Sequence, residues 1–503
     1  MALLLVLMLA PVAAALLAGF LSGRDQDSTF KLGLILSLVI AMLGLPLVLS
    51  PGTIDAVRVP WFTLWGTGAT VHLSLASDGL SAWLIQLVLW LTPAAILGAK
   101  AMAGARMREF LVCAFAAQAA MIGALLARDL VVFFLFYEAM LIPAAVLIAL
   151  FGGSDRRNAA GWFTLYTMLG GVGMLVGIWY IAAHLHSTEL DVVRAGMGSI
   201  PPSEAGWLFL GFVLAFAVKV PLVPLHGWQA RTYSESAGPV VVILGGAMSK
   251  LGVYGFLRFV LPLFPGQMAE WGNLLMVLAL IGTVGGALVA IVQDDAKRML
   301  AYSSLSHLSL IMVGIFAGSA VALDGAAVQM VAHGLSAAAL FLLVGVVERQ
   351  GGFYGLDDYG ALAERVPLMA VLFVGAALAS AAMPGTINFV GEFLLLLGTY
   401  QRSGLIVASI AGLSVILGVV YLLILIQRWF YGKPGHASEK VVEISAAEAW
   451  AVGLLVAATL FFGFYPRPIL DQTGPAVRSL MAPAKTGLPS AVAVVPVPAN
   501  AAH

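Results

Sequence analysis

The sequence predicts an all-α integral membrane protein of about fourteen transmembrane helices, and three observations carry that reading. Of 503 residues, 61% are hydrophobic and only 10% are charged. A soluble globular domain averages about 25% charged residues, so this chain cannot cover a surface that faces water. Apolar runs also follow one another with short connections and no inserted soluble domain. Runs of roughly 20 such residues cross about 30 Å of hydrocarbon as helices. The mean hydropathy of +1.01 agrees.

The first run, 2–22, has no basic residue ahead of it and reads as a spanning helix, not a cleaved leader. The remaining candidates fall near 32–50, 80–100, 109–127, 129–151, 161–183, 207–226, 238–263, 273–292, 298–318, 324–347, 367–400, 404–427 and 447–465. Between the second and third, the alternating stretches Val57–Trp65 and Ala69–Ala76 predict a small external hairpin. The Ala/Pro/Val-rich stretch 482–503 reads as a flexible tail.

Charge fixes the expected orientation. If both termini lie outside the cytoplasm, the inner connections hold fifteen Lys and Arg and the outer ones seven. The opposite placement inverts this bias, so both termini are expected on the periplasmic side of a bacterial inner membrane. Three basic residues remain. Arg258 lies near a helix end and reads as snorkelling, whereas Lys219 and Lys250 lie too deep for that. The zero net charge argues against a nucleic-acid partner. Cys113, the single cysteine, excludes cysteine-ligated clusters and internal disulfides within the chain.

Depth then sorts the ionisable residues. Glu138, Lys219, Lys250, His307, His333 and Glu392 all fall well inside apolar helices. A charge at the bilayer centre costs at least about 2.5 kcal/mol, so six at similar depth point to proton transfer. Glu and Lys can pair when close and exchange a proton when parted, and His titrates near neutral pH. Ser303 and His307 stand at i and i+4 on one helix face; Ser304 adjoins them and Ser336 follows His333 by three. These hydroxyls would hold water between titrating groups. Gly170–Gly173, Gly245–Gly246 and Gly285–Gly286 read as close helix contacts, and the pair His184/His186 as too few ligands for a metal.

Two helices should be broken beside these residues. Pro221 and Pro224 follow Lys219, and Pro384 precedes Glu392; proline removes a backbone donor and clashes with the preceding turn. Glu138 to His307 spans 169 residues and Lys219 to Glu392 spans 173. Two five-helix units would give this recurrence, the second inverted because five is odd. The expected division is 1–108 (three N-terminal helices), 109–263 and 273–431 (the repeats), 447–465 (helix fourteen) and the tail.

Several stretches together carry a family resemblance: Leu135–Pro143, Lys219-Val-Pro221, Ser249-Lys250-Leu-Gly, Ala301–His307 and Pro384–Phe393. They resemble the antiporter-like subunits of proton-translocating NADH–quinone oxidoreductase (respiratory complex I) and of cation/proton antiporters. Glutamate rather than lysine at 392, and the absence of a long lateral helix, resemble the M type (mitochondrial chain four). The resemblance implies that Glu138 and Lys219 form the pair of a first half-channel. It further implies a central line through Lys250, His307 and His333, ended by Glu392 at the exit. It places NADH, FMN, iron–sulfur clusters and quinone in partner subunits, with no cofactor or metal in this chain, and neighbouring antiporter-like subunits and lipid as partners. The chain departs from the family after Trp228, where Gln229–Glu235 replaces the usual Leu-Pro-Asp-Ala-His run. A cation/proton antiporter subunit and a hydrogenase-type membrane complex are the alternative readings.

Overall fold

The computed structural model describes residues 2–20, 25–50 and 54–482. Twelve helical stretches among them are long and apolar enough to cross a membrane. Two of these are too long for one crossing. Gly79–Leu126, with 48 residues, would extend about 72 Å at 1.5 Å per residue; it is divided at Gly104–Arg106. Ile387–Tyr431 is divided at Gly404, whose φ of 83° and ψ of 177° leave the helical region. A second crossing from each division brings the count to fourteen, as the hydropathy pattern predicts. The expected tail lies outside the described residues apart from Ala482, which ends a helix.

Burial separates the crossings into a shielded centre and a lipid-facing rim. The eighth crossing, Gly238–Leu263, is wholly buried, and the tenth (Ala296–Ala317) and eleventh (Ala320–Gly351) are 94% buried over their most apolar windows. The first, second and fourteenth are about one-third buried or less, and they show Leu16, Ile35 and Trp450 to the exterior. Lys250, His307 and His333 therefore ride on the helices farthest from lipid, where charge is least costly.

Small residues let the central helices meet. A Cβ on Gly246 or Gly334 would come within 3.5 Å of the other's backbone oxygen, and one on Gly211 within 2.6 Å of Gly173 oxygen. Close approach of this kind gives packing contacts that hydrocarbon cannot supply.

Outside the bundle, β1 (Ile54–Thr63) and β2 (Thr70–Ser77) form the expected antiparallel hairpin. A helix that hydropathy did not reveal, Arg467–Met481, follows the fourteenth crossing. It is amphipathic: Ile469, Val477 and Leu480 are buried, while Arg478 reaches Asp324 at 3.1 Å. Its low apolar content hid it from a search for spanning segments.

Arg258 corrects the snorkelling assignment. It is 2% exposed; its NH2 bonds Asp78 Oδ2 at 2.6 Å and its Nε bonds the Tyr254 hydroxyl at 3.0 Å. Arg128 reaches the same Asp78 oxygen at 3.1 Å. Asp78 meanwhile caps the third crossing, accepting from the Ser81 amide at 3.0 Å. Burial pushes the Asp78 carboxyl up, but Arg258, Arg128 and the Ser81 amide outweigh it and hold the group below the usual carboxylate range. Its stabilising charge is therefore present above roughly pH 4 and is lost only as the pH falls through the lower folded value. Asp78→Ala should cost about 3 kcal/mol by leaving Arg258 buried and unpaired. The test is the heat-unfolding midpoint in detergent near pH 7, where an unchanged midpoint would exclude the clasp as a stabilising contact.

Candidate functional site

Five irregular stretches of backbone position the site. The fifth crossing, Leu130–Phe151, is continuous as expected over 129–151, and only its hydrogen-bond ladder loosens at Met140, whose φ of −66° and ψ of −18° stay right-handed helical. Pro143 has no amide to donate back to Ala139 at this point. Glu138 stands immediately before this loosened turn. The seventh crossing ends at Lys219, and its chain turns through Pro221 and Pro224 before Gln229–Glu235 resumes as helix. The Val223–Pro224 peptide is cis. In the twelfth, Pro367–Ser380 stops before Pro384 and helix resumes at Ile387.

The two proline breaks close with the same bond pattern. Val220 donates to Phe216 oxygen and Leu222 to Ala217 oxygen; likewise Ala381 donates to Ala377 and Met383 to Leu378. Each break thus ends on one bond spanning four residues and one spanning five. Lys219 is the last helical residue before its break, whereas Glu392 lies past the second break, on the resumed helix. The recurrence of 173 residues therefore does not put them at equivalent places in the two breaks.

The eighth crossing supplies the remaining irregular backbone. Wide π-type turns over Val242–Met248 and Phe256–Val260 bracket the α-helical Ser249–Gly255, which carries Lys250. Such turns leave carbonyls free for side chains and are frequent at functional sites.

Around Lys219 the ammonium rests on a tyrosine rather than on a carboxylate. Its Nζ donates to Tyr137 oxygen at 3.1 Å and sits 3.7 Å from the centre of the Tyr137 ring. Tyr137 is itself held by its hydroxyl on Ala215 oxygen at 3.0 Å. Glu138 Oε1 is buried without a hydrogen-bond partner, and a Cβ on Gly171 would come 2.3 Å from that oxygen. Gly171 thus leaves the carboxylate its space. Lys219 and Glu138 are neighbours, with the ammonium on the tyrosine.

Lys250 begins a second set. Its Nζ donates to Gly245 oxygen at 2.5 Å and lies 2.9 Å from His333 Nδ1, while His333 Nε2 lies 2.9 Å from Ser304 Oγ. With Lys250 as ammonium, Nδ1 accepts and Nε2–H donates to Ser304. With neutral Lys250, the opposite tautomer fits the same positions. The set can therefore pass a proton without moving its heavy atoms.

His307 and Glu392 form the third set, with Nδ1 3.0 Å from Oε1. Gln329 donates to the same Glu392 oxygen at 3.1 Å. On the other edge of the ring, Nε2 lies 3.4 Å from the Tyr421 hydroxyl, which meets Ser303 Oγ at 2.7 Å. The His307 and His333 rings stand 5.6 Å apart, so the second and third sets adjoin. Ser336 belongs elsewhere: it accepts from Asn388 Nδ2 at 3.1 Å rather than bonding His333.

Sequence reasoning missed Tyr137, Gln329 and Tyr421. Gln329 precedes His333 by four and shares its helix face, a signal the sequence contains. Tyr421 stands alone in Leu417–Ile426 and carries no such pattern. Lys297, assigned to a connection, is 1% exposed and pairs with Glu348 at 3.0 Å. His186 bonds Thr67 oxygen at 2.9 Å, and no group of three potential metal ligands occurs among the described residues.

Comparison with known proteins matches residues 127–418 to the family described as NADH:quinone oxidoreductase/Mrp antiporter, TM. The chain is 37% identical over 454 residues to the NADH-quinone oxidoreductase subunit M of Pseudomonas aeruginosa, covering 88% of this chain and 89% of that one. It is 36% identical to the subunit M of Rhodobacter capsulatus, with 82% of each chain covered. A chain of respiratory complex I from Thermus thermophilus with bound NADH superposes with a TM-score of 0.85 at 32% identity, covering 95% of this chain and all of that one.

Tyr421→Phe tests the third set. It removes the hydroxyl shared by Ser303 and His307, and the loss should be about 1–2 kcal/mol. A shifted heat-unfolding midpoint in detergent checks it, and an unshifted one would mean the hydroxyl bonds are dispensable.

Proposed function

The chain belongs to the NADH:quinone oxidoreductase/Mrp antiporter membrane family, and we propose that it is the M-type proton-translocating membrane subunit of a bacterial respiratory NADH–quinone oxidoreductase. The observation that carries this reading is the file of titratable groups centred on the lipid-shielded eighth, tenth and eleventh crossings and ended by the His307–Glu392 pair. Relatives named subunit M over most of their length support the choice within the family.

In this reading Lys219 moves between Tyr137 and Glu138. Two unit charges 4 Å apart interact by about 4 kcal/mol at an effective dielectric of 20. Bringing the ammonium to Glu138 or taking it away therefore shifts the proton affinity of both groups, and of Lys250 beyond them. The His333 tautomers carry the change toward Ser304, and the His307–Glu392 pair accepts or releases a proton at the far end. Helix breaks beside Lys219 and ahead of Glu392 supply the flexible backbone such movement needs.

The electrons travel elsewhere. Cys113 is the sole cysteine, so this chain holds no cysteine-ligated iron–sulfur cluster; the family resemblance assigns NADH, FMN and quinone to partner subunits as well, and in this reading the chain contributes translocation without redox chemistry. Its partners are neighbouring antiporter-like membrane subunits and lipid. The excess of Lys and Arg on one set of connections supports termini on the periplasmic side.

Lys219→Ala and Glu392→Ala should each give an assembled complex with reduced NADH-driven proton pumping and reduced coupled quinone reduction. Acidification of inside-out membrane vesicles measures this, and full pumping in either variant overturns the assigned roles.

A further inference from the structure

The helix that resumes after the first proline break, Gln229–Glu235, carries polar atoms the three hydrogen-bonded sets do not use. Gln229 Nε2, Thr232 Oγ1 and the Tyr233 hydroxyl have no hydrogen-bond partner, and all three residues are 1% exposed or less. Three such orphans in five residues is an unusual concentration, since each costs about 1–3 kcal/mol if left dry. In folded proteins, groups of this kind bond ordered water, about three bonds to each molecule.

Their position gives that water a use. A Cβ on Gly245 would come 3.0 Å from the Tyr233 ring and 3.3 Å from its hydroxyl oxygen, so only glycine lets the phenol lie against the π-type turn. Gly245 oxygen is the acceptor for both Ser249 Oγ, at 2.9 Å, and Lys250 Nζ, at 2.5 Å. Tyr233 and Lys250 thus converge on one residue. In the other direction, Glu235 lines a cavity of about 210 Å³ together with Lys297, Glu348 and Arg349. That cavity lies at the end of the bundle where Gly152 and Gly153 join the fifth and sixth crossings, next to Arg156 and Arg157. Its charged lining and volume suit water.

We propose that Tyr233, through water held by Gln229 and Thr232, is a proton-transfer residue linking this cavity to Lys250, an inlet separate from Glu138 and Lys219. The phenol takes a proton from water on the cavity side as it gives its own to water or Ser249 on the Lys250 side, so it ends unchanged. The inlet uses the stretch in which this chain departs from its family. It rests on the proton-translocating function proposed above.

Tyr233→Phe keeps the ring and deletes a hydroxyl that has no full hydrogen bond to protein and only the Gln229 and Ser249 side chains as polar neighbours, so the complex should assemble at the normal level. In inside-out vesicles energised with NADH, the variant should lose pumping at least several-fold, and its solvent deuterium isotope effect should rise because proton delivery now limits turnover. A packing role would not move the isotope effect. Lys250→Ala, measured beside it, separates the two claims. Wild-type pumping in Tyr233→Phe with impaired pumping in Lys250→Ala overturns the inlet and leaves the translocation reading intact. Wild-type pumping in both overturns the inlet and the reading together.

Discussion

An ionised side chain cannot face hydrocarbon, and most of the architecture follows from that constraint. Lys250, His307 and His333 occupy crossings that are almost completely enclosed by others, and the rim is left to residues such as Leu16, Ile35 and Trp450. Enclosure alone would leave the charges desolvated. Each therefore also has a specific neighbour: Lys219 the Tyr137 carbonyl and ring, Lys250 the Gly245 carbonyl and His333, Glu392 both His307 and Gln329. Fourteen crossings are more than a simple pore wall needs, and the outer ones serve as insulation for the inner ones.

The second theme is backbone irregularity placed beside charge. Regular helices satisfy their own amides and carbonyls and offer none to side chains. Here the regularity fails after Lys219, ahead of Glu392 and on both sides of Lys250, and the ladder loosens by one bond at Pro143, after Glu138. At Lys250 the failure has a visible use, because Gly245 oxygen is free to take both Ser249 and the ammonium. Glycine makes the same places narrow enough: Gly171 against Glu138, Gly246 against Gly334, Gly391 against Gln329.

Much of this was legible in the residues, and for physical reasons. Hydropathy reports burial in lipid directly, so the number of crossings came out correctly, and proline chemistry located the two broken helices. Depth alone singled out Glu138, Lys219, Lys250, His307, His333 and Glu392. Three kinds of information were hidden. Arg258 looked like a terminal cation because its counter-ion, Asp78, is 180 positions distant. Tyr421 is one tyrosine in an apolar helix until folding brings it to His307. The state of the Glu138–Lys219 neighbours depends on the Tyr137 carbonyl and ring, which no side-chain pattern announces.

The clasp of Asp78 on Arg258 also bears on leakage. On the eighth crossing Lys250, Tyr254 and Arg258 recur every four residues toward the Asp78 end, and Arg258 Nε is bonded to the Tyr254 hydroxyl. A guanidinium keeps its charge at any physiological pH, so it cannot join a relay as a neutral link. With Arg128 it shares one counter-ion, Asp78, so the cluster keeps a net fixed positive charge two turns beyond Lys250, of the kind that keeps protons out of water-conducting pores. If Lys250 carries protons as proposed, an excess proton there would meet rising potential in that direction and a histidine able to change tautomer in the other. In the reading proposed above, the eighth crossing would be rectified: a proton on Lys250 would be sent sideways to His333 instead of straight through, and the membrane voltage would not be short-circuited down the central helix.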